Sequence, residues 1–282
     1  MILLILHKIA LVAPTWIVPM LALASGGGEQ AGGDAHGGGA PHLPNLVKIL
    51  FGPDSVAEHW VNVIFAFAIG VFLSVFAARV YAKRQMIPGR LQNLVEMMVE
   101  GMYNFIESIL GKDAKRYVPY LGSLFFYILL MNWIGMVPLG HSPSTSLNIT
   151  ASLAILTFLY AQYTGVTRLG VLGYVHHMAG SPRDVISWCM VPLIFPLHII
   201  GELAKPFSLA LRLFGNITGE DTLVAVFVGL GIAILAFSPV GVPLQIPFYF
   251  LGLLLSTIQA LVFTLLSTIY ILLMLPHEEH AD

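Results

Sequence analysis

The residues best equipped for chemistry in this chain stand in one line. His198, Glu202, Lys205, Leu209, Arg212, Asn216 and Glu220 follow one another by steps of +4, +3, +4, +3, +4 and +4. At about 100° per residue they stay within about 40° of one meridian of a helix. Asp221 falls off that line. The stretch around them, from Pro196 to Leu223, is otherwise apolar. Acids, bases and a permanent cation aligned in this way can pass a proton, hold an ion, or pair with one another to brace helix packing. An arginine at mid-bilayer costs about 2.5–3.5 kcal/mol on insertion scales. Lys205 has an escape by snorkelling towards an interface. Arg212 has none, because apolar residues run well beyond it in both directions. A structural ion pair, Glu202–Lys205 or Arg212–Glu220, would account for part of the line. A whole stripe of ionisable groups across a membrane is more often an ion or proton path.

The elements that position this line are set by composition. Of 282 residues, 57% are hydrophobic and 10% charged, against about a quarter charged in ordinary soluble domains. Mean hydropathy is +0.84. The expectation is an all-α polytopic membrane protein. A net charge of -2 carries no electrostatic footprint for nucleic acid. The single cysteine, Cys189, has no intramolecular partner for a disulfide.

Residues 1–24 hold one basic residue, Lys8, an apolar run to Leu23 and the small residues Ala22 and Ala24. They read as a secretory signal peptide, with an uncleaved membrane helix as the alternative. Residues 25–59 form an extracytoplasmic tail, Gly-rich from Ser25 to Pro44, whose His36 and His42 read as solvated. A membrane domain is expected over 60–275. Its first span is Trp60–Tyr81, of a length that crosses a bilayer. Leu91–Leu110 puts Leu91, Leu94, Val95, Met98, Met102, Phe105, Ile106 and Ile109 on one face and Asn93, Glu96, Glu100, Asn104 and Glu107 on the other. That pattern suits an amphipathic surface helix; a soluble docking helix is the alternative. Tyr117–Val137 and Asn148–Thr167 span next, and two long apolar helices follow at 185–237 and 246–275, giving about five membrane-embedded helices. Residues 276–282 close the chain as a tail.

Arg79, Lys83, Arg84, Arg90, Lys112, Lys115, Arg116, Arg168 and Arg183 all fall on one side of this topology. The positive-inside rule makes that side cytoplasmic, with the mature N-terminus outside and the C-terminus inside. Beyond the leader and Lys48 of the tail, only Lys205 and Arg212 break the pattern.

The last helix offers a matching face: Gly252, Ser256, Gln259 and Phe263 follow +4, +3, +4 spacing. Gln259 lies near the middle of its apolar run, as Arg212 does, so the two are placed to meet across an antiparallel pair. Gln259 as an interhelical hydrogen-bond strut is the alternative. His176-His177 reads as an interfacial loop pair. His277–His280 (HEEH) lacks the HExxH spacing, so no metal site is expected. No phosphate-binding loop or nucleophile–base pair is evident, and no cofactor is expected.

Lys205-Pro206-Phe207-Ser208-Leu209-Ala210-Leu211-Arg212-Leu213-Phe214-Gly215-Asn216 resembles the signature of subunit a of F-type ATP synthases. Pro143–Thr150 (PSTSLNIT), Ile258–Tyr270 and the C-terminal HEEH add to the resemblance, which runs in order from about Trp60 to His280. It implies a non-catalytic stator subunit in a bacterial inner membrane, without a nucleotide site of its own. The two long helices would form a tilted hairpin against the c-subunit ring, with the b-subunit peripheral stalk and the rest of the synthase as further partners. Arg212 matches the stator arginine that separates two offset half-channels. Asn216 and Gln259 match polar residues beside it, and Asn148 a polar position of the hairpin helix. His198, Glu202, Lys205, Glu220 and Asp221 become candidates for the ion path.

The chain departs from the family where Ser146 replaces an acidic residue and Gly252 a histidine. His198 also stands where an acid is common, with Glu202 one turn later. An ionisable group often follows the arginine by nine residues, which is Asp221, with Glu220 adjacent. Proton and sodium both remain open as the ion, the proton being expected. The competing reading is a stand-alone secondary transporter holding an anionic substrate at Arg212, although no internal repeat supports it. An intramembrane hydrolase lacks a nucleophile and base.

Overall fold

The computed structural model describes residues 60–83, 85, 89–137, 142–180, 185–235 and 246–275. The leader, the Gly-rich tail, the linker after the first long helix and the C-terminal HEEH lie outside the described residues. So do Arg84 and Arg183.

Among the described residues the chain is helical throughout. Helix α1 is Val61–Ala82 and α2 is Arg90–Leu110. A 3-10 turn, Gly111–Asp113, leads into α3, Ala114–Ile134. A second 3-10 turn, Pro143–Thr145, precedes α4, Leu147–Met178. The two long helices are α5, Val185–Leu235, and α6, Ile246–Leu273. Five segments among the described residues are long and apolar enough to cross a membrane. This is the all-α, multi-pass architecture that composition demands.

Helix α3 is the axis of the bundle. Tyr117, Leu121, Leu124, Tyr127, Ile128 and Met131 are buried on several of its faces, which is what an all-round apolar helix must do. Helices α1, α2 and α6 pack on it, α4 packs on α5, and α5 on α6. Tyr127 Oη donates to the Ala66 carbonyl at 3.2 Å, tying α1 to α3. The Tyr120 and Tyr160 rings stack 4.0 Å apart, joining α3 to α4. Helix α2 buries Val99, Met102, Tyr103, Ile106 and Leu110, while Leu91, Leu94 and Met98 of the apolar face expected from spacing are exposed, as are Glu100 and Glu107.

Two features shape the site. Helix α5 has 51 residues, about 76 Å at 1.5 Å per residue. A hydrocarbon layer of about 30 Å cannot hold it upright, so it must run obliquely or curve. Helix α4 continues past the expected end at Thr167 but breaks at Gly170 (φ 72°, ψ 163°). Side chains with a Cβ rarely take that conformation. The break turns the terminal segment back, so that a Cβ on Gly165 would lie 3.2 Å from the Tyr174 ring.

Candidate functional site

Helix α5 buries one face, with Leu209, Leu213 and Ile217 in the core, and exposes a broad apolar one through Leu193, Leu197, Ile200, Leu203 and Phe207. The polar line runs along the border between these faces. Glu202 and Leu209 are buried, Lys205, Asn216 and Glu220 half-buried, and His198 and Arg212 exposed. Asp221 is exposed off the line. Among the described residues, Arg212 forms no hydrogen bond or ion pair. The structure therefore divides the candidates into two polar clusters, one on each side of Arg212 along α5.

The first cluster lies at the level of Asn216 and Glu220. Asn216 Nδ2 donates to Gln259 Oε1, joining α5 to α6. Ser256 Oγ donates to Glu220 Oε2 at 2.9 Å. Gly252 makes room for that carboxylate: a Cβ there would overlap Glu220. Behind Ser256 the polar chain continues through buried groups. Asn132 Nδ2 donates to the Ser256 carbonyl at 3.3 Å, and Ser144 Oγ donates to Asn132 Oδ1 at 2.8 Å. Gln259, 2% exposed, keeps its Nε2 without a hydrogen-bond partner, as does Thr218 Oγ1. A buried amide N–H without an acceptor is costly.

The second cluster, around Glu202 and Lys205, lies earlier on α5, on the other side of Arg212. Lys205 Nζ pairs with Glu202 Oε1 and sits 5.3 Å from the Tyr270 ring centroid on α6. Gln162 Nε2 on α4 donates to Glu202 Oε2 at 3.0 Å, and Tyr174 Oη donates to Gln162 Oε1. Beside them opens a crevice of about 390 Å³, lined by Met178, Ile194, His198, Glu202, Lys205 and Met274 among others.

Several expectations change in the structure. Gln259 meets Asn216, one turn past Arg212, because that pairing places amide against amide in a buried helix contact. Of the two ion pairs considered, Glu202–Lys205 forms; Arg212–Glu220 does not, because Glu220 turns to Ser256. Lys205 is held by the Glu202 carboxylate and the Tyr270 ring face. Of the neighbouring acids, Glu220 faces α6 and Asp221 does not. Asn148 is half-buried in the first turn of α4.

Sequence reasoning missed Gln162, Tyr174, Asn132 and Tyr270. Gln162 and Asn132 are polar groups inside apolar spans, Tyr174 lies beyond the expected end of its span, and none of the three repeats with helical spacing. Tyr270 stands at the end of the Ile258–Tyr270 motif.

The family model for the ATP synthase A chain matches residues 60–272. ATP synthase subunit a of Protochlamydia amoebophila is 45% identical over 247 residues, covering 85% of this chain and 91% of that protein. The subunit a of Oleidesulfovibrio alaskensis is 37% identical over 239 residues, covering 83% and 95%. That of Moorella thermoacetica is 36% identical over 217 residues, covering 77% and 88%. Matched by the family model over most of its length and similar to these relatives nearly end to end, the chain belongs to the ATP synthase A chain family, the a subunits.

Proposed function

We propose that this chain is the ion-translocating, non-catalytic stator subunit of an F-type ATP synthase, with Arg212 as the charge that couples ion flow to rotation. The observation that carries the reading is Arg212 itself, a guanidinium with no hydrogen bond or ion pair among the described residues, at the rim of an exposed apolar face. On each side of it along α5 lies a hydrogen-bonded polar cluster. The exposed faces of α5 and α6, with Phe207, Phe250 and Leu254, suit contact with a ring of c subunits inside the membrane. The peripheral b subunit and the rest of the complex complete the partners.

In this reading, Glu220, Asn216 and Gln259 line the outer half-channel. His198, Glu202 and Lys205 line the inner one. Asp221 and Asn148 stand at the margins of the path. From Glu202 to Arg212 is ten positions and from Arg212 to Glu220 eight, about 15 Å and 12 Å along a helix. An ion therefore cannot pass between the clusters without a carrier, and the carboxylates of the moving ring are the carrier. At about 4 Å and an effective dielectric of 20, a ring carboxylate and Arg212 attract by about 4 kcal/mol. That favours the ionised carboxylate at the arginine and releases its proton to one side only. A membrane potential adds about 2.3 kcal/mol per charge per 100 mV, which biases the direction.

The topology follows the same reading. Residues 1–24 are the leader and 25–59 the outer tail, 60–275 form one membrane domain, and 276–282 end in the cytoplasm of a bacterial cell. The transporter alternative draws no support from the relatives.

The test is Arg212→Ala in membrane vesicles carrying the whole complex. ATP-driven acidification should vanish while the subunit still inserts and assembles. Normal pumping in that variant would sink the reading.

A further inference from the structure

The strongest feature that the proposed path leaves unexplained is the returning end of α4. Gly170 takes a backbone conformation that favours glycine, and the chain beyond it folds Tyr174 against Gly165. Tyr174 then donates its hydroxyl to Gln162, and Gln162 donates its amide to Glu202, itself 8% exposed and paired with Lys205. Met178, at the end of the same segment, lines the crevice onto which Glu202 and Lys205 open.

We infer that Gln162 and Tyr174 are positioning residues for the inner ion path: they hold the Glu202 carboxylate against Lys205 at the crevice, and the Gly170 break exists to bring Tyr174 into reach. The inference rests on the stator reading above and deepens it.

A carboxylate has about four acceptor sites. Here the ammonium takes one oxygen and the Gln162 amide the other, so neither oxygen is left without a donor. The Gln162 amide is oriented in turn, because the Tyr174 hydroxyl donates to its carbonyl oxygen and leaves its N–H groups facing Glu202. The charged and titratable groups around Glu202 are Lys205 and His198 on its own helix, Tyr174 on α4 and Tyr270 on α6; Arg212 and Glu202 both act electrostatically on Tyr270. Without Gln162, one oxygen of a mostly buried carboxylate would lose its donor. The side chain would then turn into the crevice or seek a different partner.

The experiment is a double-mutant cycle on ATP-driven pumping, normalised to assembled complex and to ATP hydrolysis, in vesicles carrying the whole synthase. Gln162→Leu should lower pumping about tenfold, the scale of losing a hydrogen bond to a charged group. Glu202→Gln should lower it as well, and the double variant should be no worse than the poorer single, because both remove one interaction. Gln162→Leu and Tyr174→Phe, which both disturb the setting of the same carboxyl, should share a pH profile that differs from the parent's. Tyr174→Phe keeps the ring against Gly165 and removes only the hydroxyl, so it tests the same chain if Gln162→Leu fails to assemble; it should lower pumping in the same direction. Parent-like pumping and pH profile in these α4 variants would overturn the inference, as would losses that multiply in the double. Normal pumping in Arg212→Ala would instead overturn the reading beneath it, so the two failures are distinguishable.

Discussion

Replacing Gly252 with alanine puts a methyl group where the Glu220 carboxylate now lies. The new Cβ would stand 2.8 Å from Glu220 Cδ and closer still to its Oε1, with Met136 Cε at 3.1 Å on another side. Glu220 sits in a continuous helix, so its side chain rather than its backbone must yield, and the bond from Ser256 Oγ is lost. A hydrogen bond to a charged group contributes about 1.5–3 kcal/mol. The gain in helix propensity from alanine, about 0.8–1.0 kcal/mol, acts on folding and is the same wherever Glu220 points. The lost bond therefore corresponds to roughly 10- to 160-fold in a rate that depends on Glu220 being in place. The assay is ATP-driven acidification of vesicles, per assembled complex. Adding Glu220→Asp, which shortens the side chain by one methylene, should recover part of the loss. Parent-like pumping in Gly252→Ala, or no recovery on shortening Glu220, would refute the reasoning that this cradle positions the acid.

Arg212→Lys should also fail to pump, because a compact ammonium does not reproduce the planar guanidinium; the same vesicle assay decides it. Gly170→Ala forces a Cβ into φ 72°, ψ 163°, a strain of about 1–3 kcal/mol. A lower thermal midpoint of the solubilised complex is the expected sign. Asp113→Asn removes the charge from the 2.6 Å ion pair with Arg168, whose two side chains are 45% and 30% exposed. An exposed pair contributes about 0.2–1 kcal/mol, so assembly measured by immunoblot should change by no more than about fivefold.

What the sequence alone determined is the set of helices and the polar line on one of them. Apolar runs of bilayer length specify spans without any knowledge of neighbours, which is why α1, α5 and α6 lie where composition puts apolar helices. The spacing from His198 to Glu220 is a property of one helix and is visible at its 3.6-residue period. The resemblance around Arg212 belongs to contiguous residues for the same reason. The continuation of α4 and its return at Gly170 were not visible, since a glycine in an apolar run signals neither its φ nor what folds back against it.

Only the tertiary structure decided the partners. Gln162 meets Glu202 across 40 positions, Asn216 meets Gln259 across 43, and Asn132 reaches Ser256 across 124. Each such pair depends on how far one helix slides past another. One residue of slip moves a side chain about 1.5 Å and turns it about 100°. Four residues of slip, about 6 Å along the axis, separate Gln259 facing Arg212 from Gln259 facing Asn216, and a single step of about 100° separates Glu220 from Asp221 beside Gly252. The slip is set by packing of Leu209, Leu213, Ala260 and Phe263 in the shared core, and no single helix carries that information.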